Sequence, residues 1–136
     1  MSENNTTPAH LAPDETIDDQ TRAGAVSVLY GADNGLQAAG NQFWHQNSPG
    51  IHEHAEFDDR FGLLLTAGDY DGDGFADLVI GVPNEDVNGL EDCGAVHVIY
   101  GAAAGLNKFG NQFWHQDSPG IVDTAAADEL FGFALR

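Results

Sequence analysis

Basic residues are the scarcest class in this sequence. Arg22, Arg60, Lys108 and Arg136 stand against 22 acidic residues, for a formal net charge of −18. No cluster of cations is available to hold phosphate and the acidic field repels it, which argues against nucleic acid and anionic membranes as partners. A single cysteine, Cys93, rules out an internal disulfide and leaves the redox compartment unread. No apolar run approaches the ~18 residues that span a bilayer as a helix, so membrane insertion is not expected. The opening residues, Met1-Ser2-Glu3-Asn4-Asn5-Thr6-Thr7, lack the basic and apolar regions of a signal peptide. The protein therefore stays inside, or an export signal lies upstream. Catalytic constellations are missing as well. Ser27, Ser48 and Ser118 have no nucleophile-elbow context, and Cys93 lies in an Asp-Cys-Gly turn without a positioned base. The sequence points away from an enzyme.

What it has instead is a loop of carboxylates. Asp69-Tyr70-Asp71-Gly72-Asp73-Gly74-Phe75-Ala76-Asp77 places four aspartates within nine residues. Such a cluster needs a counter-charge, and a hard divalent cation with oxygen ligands and flexible geometry, Ca²⁺, suits it best. Gly72 and Gly74 supply the positive φ that wraps a short loop around an ion. Asp69, Asp71, Asp73 and Asp77 are the candidate side-chain ligands, and Phe75 offers only its carbonyl. The opening matches an EF-hand loop, whose twelfth position requires a bidentate glutamate. That position is Ile80. Leu63-Leu64-Leu65 before the loop and Leu78-Val79-Ile80-Gly81-Val82-Pro83 after it are short apolar runs bounded by Gly and Pro, which predict buried strands rather than helices. The loop thus closes at Asp77 and joins two strands.

The second organising feature is a repeat. Gly94-Ala95-Val96-His97-Val98-Ile99-Tyr100-Gly101 returns the text of residues 24–31, and Gln112-Phe113-Trp114-His115-Gln116 returns that of 42–46. The offset is 70 residues without insertion, and 25 of the 42 positions in 24–65 recur in 94–135. One period contains four strand signals, at 61–67, 78–82, 94–100 and 112–116. Four short antiparallel strands per repeat make the blade of a β-propeller. The predicted fold is all-β, an incomplete propeller of about two antiparallel four-stranded blades. Residues 1–12 are expected to be a disordered lead-in. Residues 13–60 form a partial blade (strands three and four), 61–130 a complete blade carrying the loop at 69–77, and 131–136 the first strand of another.

Phe61-Gly62, the Asp loop, Gly81-Val82-Pro83 and the strand from Gly94 to Gly101 together resemble the FG-GAP repeats of the integrin α-subunit propeller and its bacterial relatives. The resemblance covers about residues 13–136. It implies that Asp69, Asp71, Asp73 and Asp77, with the carbonyl of Phe75, bind Ca²⁺ between the first two strands of the blade. It further implies an extracellular or cell-surface binding or adhesion module with a protein or glycan ligand. Propellers in this family close with about seven blades, whereas this sequence holds fewer than two. Isolated repeats rarely bury enough surface to be stable, so further blades or self-association are expected to complete the structure. Two alternatives remain: part of a larger secreted, phospholipase-like hydrolase, or a self-assembling repeat without a ligand. Trp44, Trp114, His45 and His115 recur at equivalent positions, as packing residues do. His52-x-His54, with Glu53 and Glu56 nearby, has the residue types of a transition-metal site but no recurrence in the repeat, and reads as a surface loop.

Overall fold

The computed structural model describes residues 9–121 and 130–132. Seven strands form two sheets. β1 (Ala9–Ala12), β2 (Ala25–Ala32) and β3 (Gly35–Trp44) make a three-stranded sheet in that order. β4 (Leu64–Gly68), β5 (Asp77–Val82), β6 (Ala95–Ala102) and β7 (Gly105–Trp114) make a four-stranded one. All neighbours are antiparallel, the connectivity of successive propeller blades.

The 70-residue repeat governs the register. Val26 faces Trp44 as Val96 faces Trp114, and Ala32 faces Gly35 as Ala102 faces Gly105. Even the irregularity recurs, between Val28 and Tyr30 and again between Val98 and Tyr100. β1 extends the rule. Its pairing of Ala12 with Ala25 and Ala9 with Val28 reproduces that of Val82 with Ala95 and Val79 with Val98.

This corrects the lead-in. Ala9–Ala12 is the second strand of the first blade, so that blade holds strands two to four and begins before residue 13. Ala-His-Leu-Ala carries no β-branched or aromatic signal. Its ladder with β2 holds it in place, a tertiary pairing that local propensity does not report. Two further boundaries move. Phe61 and Gly62 form a turn ahead of β4, and the outer strands start at Gly35 and Gly105, seven residues earlier than expected. Those starts are glycine-rich and exposed on β3, where the alternation that marks a half-buried strand is absent. Of the strand expected at 131–136, residues 133–136 lie outside the described residues.

The principal core lies between the blades. Val26, Val28 and Trp44 of the first sheet pack in one cluster with Leu78, Ile80, Val82, Ile99 and Leu106 of the second. Each sheet thus buries one face against its neighbour, as blades must. Phe61 crosses the junction. Its amide donates to the Ala23 carbonyl at 2.8 Å, and its fully buried ring meets His97 edge-on at 5.3 Å. The approach is so close that a Cβ on Gly24 would stand 2.3 Å from the Phe61 oxygen. Phe131 repeats the contact on Cys93 and Gly94.

Candidate metal centre

The Asp loop joins β4 to β5 at the exposed end of the second blade. Asp69, Asp71 and Asp77 each bring a carboxylate oxygen within 4.8 Å of the others. Asp69 organises the turn. Its Oδ1 accepts from the amides of Gly72 (2.8 Å) and Asp73 (3.1 Å), and its Oδ2 from that of Gly74 (2.8 Å). These amides, Gly74's foremost, hold its pKa below the ordinary carboxylate value. Asp71 is shifted the other way, by partial desolvation and by the adjacent Asp73 and Asp77. An ionised Asp69 beside an acid disfavoured in its charged form leaves charge to be neutralised, which a divalent cation does. The all-oxygen donor set fits Ca²⁺.

The predicted residues do not share one role. Asp77 is 1% exposed and is held from both sides, by the Tyr70 amide on Oδ2 (2.8 Å) and the Gly101 amide on Oδ1 (2.9 Å). It staples the loop to β6 whether or not an ion is bound. Asp73 accepts from the Phe75 amide at 3.0 Å and lies outside the three-carboxylate group. Phe75 is half-buried beside Gly101, which places its backbone at the base of the loop.

The repeated Trp and His residues serve packing and turns. Trp44 is buried in the core, and the His45 and His115 Nδ1 atoms accept from the amides of Asn47 and Asp117, both at 3.1 Å. His52 and His54 are exposed and join no metal-competent group among the described residues.

A second acidic group lies outside the Asp loop. Glu56, Asp59 and Glu85 also bring oxygens within 4.8 Å, at the junction between the blades. Glu85, in the turn after β5, is fully buried, and Asp59, just before the Phe61 turn, is 2% exposed. Burial pushes Asp59 up to about 8, with the charge of Glu56 adding to it, and Glu85 up to about 9, with the charge of Asp59 adding to it. The nearby Arg22 and Arg60 are engaged with Asp58, at 2.8 and 3.2 Å. Gln46 donates to Glu85 Oε1 and lies 3.4 Å from His97, whose burial lowers its pKa to about 3. A sequence signal existed: Glu85 repeats Glu15, and Asp58-Asp59 repeats as Asp128-Glu129. Separate acids in separate loops gave no reason to bring them together.

Sheet order, register and a strand-joining Asp loop define a repeat protein built of β-propeller blades. Residues 61–99 match the family model for the FG-GAP repeat. The chain is 33% identical over 94 residues to the phosphatidylinositol-glycan-specific phospholipase D of Mus musculus, covering 69% of this chain and 11% of that protein. It is 36% identical over 77 residues to integrin alpha-PS2 of Drosophila melanogaster, covering 56% of this chain and 5% of the relative. The phospholipase D of Rattus norvegicus is 31% identical over 94 residues, covering 69% of this chain and 11% of that protein. The chain thus spans about a tenth or less of the length of these curated relatives.

Proposed function

We propose that this chain is a calcium-braced FG-GAP propeller segment acting as a non-catalytic binding or adhesion module outside the cell. The observation that carries the reading is the convergence of Asp69, Asp71 and Asp77 in a loop whose backbone amides already order the carboxylates. Ca²⁺ held there would neutralise the cluster and pin the β4–β5 hairpin. With an affinity on the order of 10⁻⁴ M, millimolar Ca²⁺ adds roughly 1–2 kcal/mol per site. The ion's role is structural, and ligand contact falls to the loops on a propeller face. The extracellular setting is supported by the acidic composition and by the integrin alpha-PS2 match. Calcium binding measured on the wild type and on Asp71→Ala tests the reading, which requires the variant to lose one ion. An unchanged number of bound ions rejects it.

The partner reading follows from what the internal junction buries. Leu106 of β7 is 6% exposed against the first sheet, whereas its repeat partner Leu36 of β3 is 53% exposed. Tyr30 accepts from the Leu106 amide at 2.8 Å and Gln42 donates to its carbonyl at 2.8 Å. Tyr100 and Gln112 present the same pair on the far side. Each end is thus shaped for another blade of this kind, supplied by more chain or by a second copy.

The phospholipase D matches support a second reading, a non-catalytic propeller portion of a larger hydrolase. A catalytic domain in the same reading frame would decide for it.

A further inference from the structure

Two acids buried at the blade junction lack a counter-charge among the described residues. Glu85 is fully buried, and its Oε2 has no hydrogen-bond partner. Asp59 is 2% exposed and receives the Glu56 amide on Oδ2 at 3.0 Å. Glu56, exposed, brings the third oxygen and leaves an approach from solvent. Gln46 is an independent pointer. It is 1% exposed, its amide nitrogen lies on Glu85 Oε1 at 2.5 Å, and its own carbonyl oxygen is without a partner. An amide carbonyl buried unpaired beside the buried Glu85 carboxylate is costly unless something positive sits there. Arg22 and Arg60 are taken up by Asp58.

We propose that Glu56, Asp59 and Glu85, with the Gln46 carbonyl, form a second divalent-cation site that clamps the two blades together. The donors are all oxygen, which selects a hard ion of the Ca²⁺ class over one that favours nitrogen or sulfur. The site differs in kind from the Asp loop. The loop's ligands lie within nine residues of one hairpin, whereas Gln46 and Asp59 precede the second sheet and Glu85 belongs to it. An ion here joins blades rather than bracing one. Glu15, the repeat partner of Glu85, is exposed, and no such group forms around it among the described residues. In the next period Gln116 and Glu129 stand at the positions of Gln46 and Asp59, but Ala126 stands at that of Glu56, so the full ligand set belongs to this junction.

Calcium stoichiometry of the full 136-residue chain, measured by equilibrium dialysis with Ca²⁺ as the sole divalent ion, separates the two sites. The wild type is expected to bind two ions, Asp71→Ala one, Glu85→Gln one and the double variant none. Glu85→Gln keeps the shape and the Gln46 contact while removing the charge, and Asp59→Asn provides a second variant should the first fail to fold. Loss of one ion in either junction variant, with circular dichroism unchanged, supports the clamp. Retention of the wild-type number in a folded junction variant overturns it, as does loss of all binding in Asp71→Ala. A single ion lost only with Glu85→Gln would leave the clamp standing and reject the loop. A single ion lost only with Asp71→Ala would do the reverse.

Discussion

On the proposed reading, Asp77 holds the loop and Asp71 binds the ion. Asp77→Ala removes the acceptor of two backbone amides, one of them the buried Gly101 N–H. It should cost about 2–3 kcal/mol in denaturant unfolding with chelator present as well as with Ca²⁺. A loss seen only with Ca²⁺ would make Asp77 a ligand and no staple. His97 is the other residue with a testable signature. Its folded pKa, about 3, lies below the unfolded 6.5 because burial, and then His52, disfavour the imidazolium. The unfolded chain therefore takes the proton first as pH falls. Stability from the neutral ring is complete above about pH 6.5 and is lost toward pH 3, at up to about 1.4 kcal/mol per pH unit. Asp59 and Glu85 titrate with the opposite sign, in wild type and variant alike. In chelator, His97→Ser, which installs the residue of the first blade, should lower the slope of stability against pH between pH 4.5 and 6.5 by up to about 1.4 kcal/mol per unit relative to wild type. Equal slopes would show that His97 is not a buried neutral base. The spacing of the aspartates made the loop legible in sequence. The burial of His97 against Phe61 was not, since only the junction brings residues from three segments together.

At the scale of elements, the repeat carried most of the information. The hydrophobic runs of β5 and β6 and the 70-residue offset predicted both sheets and their order. β1 and the first halves of β3 and β7 escaped because small, exposed or glycine-rich residues do not alternate, although their pairing partners fix them. The equivalent glycines that open the outer strands offer a controlled comparison. Gly35 and Gly105 have φ of +115° and +113°, but a Cβ at Gly35 meets nothing, whereas one at Gly105 would lie 2.8 Å from the Tyr30 hydroxyl. Both Gly→Ala changes carry backbone strain of about 1–3 kcal/mol. Gly105→Ala should cost more, by about 1–2 kcal/mol, because the Leu106–Tyr30 hydrogen bond is displaced as well. Matching losses in chemical denaturation would mean that the blades do not dock through Tyr30.

At the largest scale the chain is a stretch of propeller, and on the proposed reading further blades complete its two ends. If a second copy covers them, light scattering should show mass rising with concentration, and Leu36→Asp should return the protein toward monomer. A folded monomer at every concentration would exclude self-association. Both blades were legible because a repeat states its own period, but the acidic junction was not, because it exists only once two blades pack. Calcium as the brace of the Asp loop is the central proposal. Thermal unfolding of the wild type and Asp71→Ala, each in millimolar Ca²⁺ and in chelator, tests that directly. The loop site should contribute a few degrees of calcium-dependent gain in Tm to the wild type, and the variant should lose that share while melting normally in chelator. An equal calcium response in both proteins, or none in the wild type, would contradict it.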